Sequence, residues 1–111
     1  MKILIGLCRN GFDPKTTNNE VDKKQVKKIV KYLNKIKLRS ENRGYKNGNH
    51  FNYKSSSYGF KHLLERACGF YVANGDVIQA MHEYGYKIKH IPNSINVRLN
   101  PSNEELKHLQ T

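Results

Sequence analysis

The chain has 111 residues, with 20 Lys+Arg against 9 Asp+Glu for a formal charge of +11, a length suited to a single domain spanning 1–111. With 37% hydrophobic and 26% charged residues, its composition is that of an ordinary domain and not of a collagen, a coiled coil or a disordered tail. The longest apolar run, Ile3 to Cys8, is too short for a bilayer crossing or a secretory leader, and two cysteines without CxxC spacing do not make a disulfide framework, so a reducing cytoplasm and no membrane are expected.

Residues 2–8 are apolar and bounded by Asn10-Gly11 and Asp13-Pro14, which reads as a short buried strand followed by turns. Thr17-x-x-Glu20 has the form of a capping box. Beyond it Val26, Ile29, Val30, Leu33 and Ile36 recur at helical spacing, which predicts a helix over 20–38. Its other face carries Lys23, Lys24, Lys27, Lys28, Lys31 and Lys35. Like charges at i,i+4 cost an isolated helix roughly 0.2–0.5 kcal/mol per pair, a repulsion that a bound anion relieves.

Residues 39–56 lack periodicity and interleave Tyr45, Phe51 and Tyr53 with Arg39, Arg43, Lys46 and Lys54. They read as a basic, aromatic-rich loop or arm, and loops of such length in small domains are usually functional or disordered. Ser56 or Ser57 then caps a helix over 57–68 with apolar positions Phe60, Leu63, Leu64 and Ala67 and a stop at Gly69. A further helix over 74–84 has Asn74 as its cap, Val77, Ile78, Met81 and Tyr84 as its apolar stripe, and Gly85 as its end.

After Gly85 the period changes to two. Tyr86, Ile88 and His90 alternate with lysines, Pro92-Asn93-Ser94 turns the chain, and Ile95, Val97 and Leu99 alternate with Asn96 and Arg98. This predicts a β-hairpin with Ile95, Val97 and Leu99 facing inward. Ser102-x-x-Glu105 ahead of Leu106 and Leu109 is a second capping-box pattern, marking a short terminal helix. The expected fold is α+β: three helices packed on a small sheet made from residues 2–8 and the 86–99 hairpin.

The charge is uneven. Residues 1–54 hold 14 Lys+Arg and 4 Asp+Glu, a net of +10, whereas residues 55–111 hold 6 and 5, a net of +1. Such asymmetry points to a polyanionic partner, although AT-rich coding also enriches lysine. Backbone contacts from Lys24, Lys27, Lys28, Lys31, Lys35, Arg39, Arg43 and Lys46, with Tyr45, Phe51 and Tyr53 stacking on unpaired bases, fit RNA or DNA better than groove readout does. A solvated lysine face, and arm aromatics folded back onto the core, are the structural alternatives.

Two rival functions come from other classes. The element order is winged-helix-like, with Asn74–Tyr84 as recognition helix. Its expected exposed residues, Asp76, Gln79, His82 and Glu83, offer a groove two acids and no Lys or Arg, although Gln79 could read adenine. The other rival is a small nuclease or metalloenzyme using His62, Glu65 and Cys68 with His82 or His90, or His50 in acid–base cleavage. No ligand spacing of a known metal site occurs, the acids are scattered, and Cys8 has no evident base. A catalytic role, a metal and a cofactor are therefore not expected, and the protein is expected to be a monomer or weak dimer.

The runs Ser57-Tyr58-Gly59-Phe60-Lys61-His62-Leu63-Leu64-Glu65-Arg66 and Gly69-Phe70-Tyr71-Val72-Ala73-Asn74-Gly75-Asp76-Val77-Ile78-Gln79-Ala80, with Gly85-Tyr86, resemble a block found in short proteins of phages and plasmids. Such proteins include anti-CRISPR proteins and other inhibitors of host defence. The block covers about a quarter of the chain. The resemblance implies a binder in the host cell interior that occupies a partner such as a CRISPR effector or another nucleoprotein complex. The cationic half departs from the acidic, DNA-mimicking style of many such inhibitors.

Overall fold

A computed structural model describes residues 1–13, 19–36, 51–53, 55–107 and 109. Its elements are α1 (Lys23–Lys35), α2 (Ser57–Cys68), α3 (Asn74–Tyr84), β1 (Ile88–His90), β2 (Val97–Leu99) and α4 (Asn103–Lys107). This is a small α+β domain, as the change of hydrophobic period at Gly85 predicts. Helix α1 presents Val26, Ile29 and Leu33 to the core, all fully buried. Phe60 and Leu64 of α2, and Val77, Ile78, Ala80 and Met81 of α3, join them with Tyr86, Val97 and Leu99 of the hairpin region. Gly69 and Gly85 end their helices in the left-handed conformation, at φ +80° and +108°, where a Cβ would be strained. Among the described residues no helix is long and apolar enough to cross a membrane.

Helix α3 is the centre of the structure. It packs against both α1 and α2, and every residue from Asn74 to Met81 is buried. A helix buried all round needs partners for its polar side chains. Asp76 and Gln79, expected at the surface, are instead 0% exposed. Gln79 Oε1 accepts from the Leu4 N–H at 2.9 Å, while its Nε2 donates to the Lys2 carbonyl at 3.0 Å and to Glu83 Oε1 at 2.8 Å. Asp76 accepts from Arg9 Nε at 3.1 Å and from the Asp22 N–H at 2.9 Å. Asn74 Nδ2 donates to the Asn10 carbonyl and to Asn96 Oδ1, both at 2.9 Å.

These bonds correct the expectation of a strand at residues 2–8. The segment carries no strand; its regular pairing is one isolated bridge, Cys8 with Gly11. Leu7 N–H turns back to the Leu4 carbonyl, and the Cys8 N–H bonds the Gly11 carbonyl. Polar side chains of α3 take the place that a neighbouring strand would have filled. Among the described residues the sheet accordingly has two strands, with Ile88 opposite Leu99, Lys89 opposite Arg98 and His90 opposite Val97.

Three further expectations are corrected at element ends. Helix α1 begins at Lys23, and Asp22 caps it by accepting from the N–H groups of Lys24 and Gln25; Thr17 and residues 37–38 lie outside the described residues. The N-cap of α3 is Ala73, because the Asn74 side chain is taken up by Asn10 and Asn96. Ile95 is 40% exposed and does not face inward with Val97 and Leu99, since it sits in the turn outside the paired register.

The second capping box forms as the sequence predicts. The Glu105 N–H donates to Ser102 Oγ at 3.2 Å, and the Ser102 N–H donates to Glu105 Oε1 at 3.0 Å. The other carboxylate oxygen of Glu105 bonds the buried Tyr86 hydroxyl, so the box also ties the terminal helix to the core. Ser102→Ala is expected to cost about 1 kcal/mol, read as a lower urea midpoint at unchanged slope. A midpoint equal to wild type would show that the box contributes nothing.

Candidate nucleic-acid interface

The apolar stripe of α1 faces α3, and helical geometry then points the remaining positions outward. Lys23, Lys24, Lys27, Lys28, Lys31 and Lys35 are all exposed. Among the described residues none of them forms an ion pair. Lys28 Nζ lies 4.0 Å from the centre of the Phe70 ring, a cation–π contact that leaves its charge available. Lys27 and Lys31 line a groove of about 400 Å³ with Met1, Val30, Asn34 and Glu83.

The lysine face continues into the connector between α2 and α3. Gln25 Nε2 donates to the Tyr71 carbonyl at 2.7 Å, so α1 holds the connector at the residue next to Phe70. Tyr71 is exposed, and Lys61 Nζ lies 5.0 Å from its ring centre. Lys61 also pairs with Glu65 at 2.5 Å, and His62 Nδ1 lies 3.6 Å from the other oxygen of that carboxylate. Burial pushes the Glu65 carboxyl up, but the hydrogen bonds from Lys61 and the Val72 N–H and the charges of Lys61 and His62 outweigh it, leaving the pKa below its ordinary value.

The end of the arm forms a second cationic and aromatic cluster. The Asn52 N–H donates to the Leu99 carbonyl at 2.8 Å, and its Nδ2 donates to the Pro101 carbonyl at 3.0 Å. These bonds pin residues 51–53 beside β2. Tyr53 is left 63% exposed. Lys89 Nζ donates to its hydroxyl at 3.2 Å, and the Arg98 guanidinium lies 5.2 Å from its ring centre. The hairpin residues Lys89 and Arg98 are functional candidates that residue spacing did not bring together with Tyr53; the outward alternation along both strands is the signal that exposes them.

Of the residues expected at a binding surface, Lys24, Lys27, Lys28, Lys31 and Lys35 thus stand together on α1, and Tyr53 stands on the hairpin. Arg39, Arg43, Tyr45 and Lys46 lie outside the described residues, as do His50 and Lys54. The recognition-helix reading meets an obstacle in the burial of α3, whose Gln79 is enclosed and committed to the N-terminal segment.

Of the residues weighed for metal or acid–base chemistry, His62 and Glu65 are in contact on α2, while His82 and His90 lie elsewhere. Among the described residues no group of three or more His, Cys, Asp or Glu side chains is placed to hold a metal ion. Cys68 Sγ faces the carbonyl of Phe70. His82 and His90 instead line a cavity of about 590 Å³ with Leu4, Phe12, Phe51 and Tyr86. The His90 ring is edge-on to Phe12, with centroids 4.3 Å apart. Cys8 is buried, with its thiol against the Gly11 carbonyl.

Fold and surface together define the class: a small α+β domain around a buried central helix, with a lysine-covered exterior studded with exposed tyrosines. No protein-family model, curated protein or solved structure matches the chain.

Proposed function

We propose that the protein is a non-enzymatic binder of nucleic acid, acting as an inhibitor of a host defence system carried by a mobile element. Its ligand is an RNA or DNA strand, free or displayed by a nucleoprotein complex such as a CRISPR effector. The observation that carries the binding reading is the α1 face, where Lys24, Lys27, Lys28, Lys31 and Lys35 are exposed and, among the described residues, without carboxylate partners. A row of unpaired ammonium groups along one helix favours a polyanion, because each phosphate contact releases condensed counterions. The exposed Tyr53 between Lys89 and Arg98 adds a ring on which an unpaired base can stack. The defence-inhibitor part of the reading is supported by the resemblance of the 57–86 block to phage and plasmid proteins.

The test is a salt series of binding to random single and double strands. Changing all five lysines to Gln is expected to lower the slope of log K against log salt by about 0.7 for each phosphate no longer neutralised on a single strand, and by about 0.9 on a duplex. These positions are exposed and the change removes the like-charge repulsion along α1, so the variant should melt at or slightly above the wild-type temperature. An unchanged slope would remove the lysine face from the interface. If the protein ignores nucleic acid at low salt yet blocks a purified CRISPR effector, the face binds acidic protein surface and the nucleic-acid reading fails.

A further inference from the structure

We propose that the cavity between the start of α2, the connector before α3 and the hairpin turn is a pocket for one unpaired nucleobase bearing an exocyclic amino group. The inference rests on the nucleic-acid reading above and names the part of the ligand that is read. The cavity is lined by Arg9, Asn10, Tyr58, Lys61, Tyr71, Ala73, Asn74 and Ile95 and holds about 220 Å³. That is below the roughly 300–1,000 Å³ of ordinary small-molecule pockets, so it suits one flat ring system.

Its chemistry is specific. Asn74 is 6% exposed, and its Oδ1 is a buried side-chain acceptor with no hydrogen-bond partner among the described residues. The orientation of this amide is fixed, because the Asn10 carbonyl can only accept and must therefore face Nδ2. A buried acceptor left unpaired costs about 1–3 kcal/mol, a cost that a donor entering the pocket removes. The aromatic lining is supplied by Tyr58 and Tyr71, which are 53% and 66% exposed. Large rings held at the surface beside a cavity are the platforms on which single-stranded bases stack.

The charges stand where a backbone would run. Lys61 and Arg9 border the cavity, and their carboxylate partners, Glu65 for Lys61 and Asp76 and Asp22 for Arg9, are not among its lining residues. The bond from Gln25 to the Tyr71 carbonyl joins the pocket to the lysine face of α1. A strand held on those lysines can therefore lay one base between Tyr58 and Tyr71 with its amino group toward Asn74. Adenine, cytosine and guanine carry that group; uracil presents a carbonyl in its place.

The experiment compares three single strands of equal length at one salt concentration: oligo-deoxycytidine, oligo-deoxyuridine and an abasic backbone. The cytidine strand is expected to bind about ten- to a hundredfold more tightly than the abasic one and at least about fivefold more tightly than the uridine strand. Tyr58→Ala and Tyr71→Ala should each lose most of that advantage while keeping the wild-type melting temperature and salt slope. Equal affinity for cytidine and abasic strands, with the lysine-dependent slope intact, overturns the pocket and leaves the nucleic-acid reading standing. Equal affinity for cytidine and uridine overturns the assignment to an amino-bearing base. Cytidine monophosphate is the arm for a free nucleotide: tyrosine-dependent binding of it without binding of any strand supports the pocket and removes the lysine reading. No binding of strands or nucleotide overturns both.

Discussion

Asp76→Ala is expected to lower the unfolding free energy by about 2–3 kcal/mol, and the loss is expected to grow as the pH falls through the carboxylate range. The magnitude follows from what Asp76 holds. Its fully buried carboxylate accepts from Arg9 Nε and from the Asp22 N–H, and hydrogen bonds to a charged group contribute more than neutral ones. Arg9 is partly exposed and regains water when the carboxylate goes, which keeps the loss below that of a fully buried pair. The Asp22 N–H loses its acceptor as well, and it lies at the cap of α1. One side chain thus joins the N-terminal segment, the start of α1 and the core of α3.

The pH dependence has the opposite sign to that of an ordinary ion-paired acid. Burial raises the Asp76 pKa; the hydrogen bonds from Asp22 and Arg9 and the Arg9 charge lower it, and burial prevails. An acid whose folded pKa lies above its unfolded value binds more protons when folded. Its contribution is therefore fully present below the unfolded pKa and declines as the pH rises through the folded one. Urea titrations of wild type and Asp76→Ala across the acid range measure the difference directly. A gap that narrows toward low pH would mean that the Arg9 pairing outweighs burial and that the sign is wrong. Glu65, whose pKa is lowered, contributes in the usual direction in both proteins and cancels.

Gly75→Ala is expected to destabilise by about 2–4 kcal/mol, although alanine in place of glycine ordinarily favours a helix by about 1 kcal/mol. An added Cβ would fall on the Cys8 carbonyl oxygen and within 2.9 Å of the Arg9 carbonyl. All of these atoms are backbone, so neither side can yield by rotating a side chain. Helix α3 would have to move away from the turn at residues 8–11, breaking the bond from the Gly75 N–H to the Arg9 carbonyl and straining those of Asn74 and Asp76. Overpacking of this kind typically costs 1–3 kcal/mol, and the broken bonds add to it. Melting at or above the wild-type temperature would show that the turn is not seated on the helix as described. Asn74, which reads in sequence as a cap, and Gly75 beside it form in the fold a close-contact surface.

Local order was legible in the sequence wherever the signal and its cause lie within a few residues of each other. The stripes Val26-Ile29-Leu33 and Val77-Ile78-Met81, the stops at Gly69 and Gly85, the reciprocal box of Ser102 and Glu105, and the change of period before the hairpin all follow from helical or strand geometry acting on neighbours. The exposed lysine row is of the same kind, since the face opposite an apolar stripe must point outward. What only the tertiary structure decided rests on pairs far apart in the chain. Leu4 meets Gln79, Arg9 meets Asp76, Asn10 meets Asn74, and Tyr53 meets Lys89 and Arg98. No periodicity encodes a side chain that bonds the main chain of a distant segment. The residues 2–8 therefore look like a strand and are not one, and Asp76 and Gln79 look like surface residues and are buried. Their environment was set when α1, α2 and the N-terminal segment closed around α3, and each polar group then needed a partner that water could no longer supply.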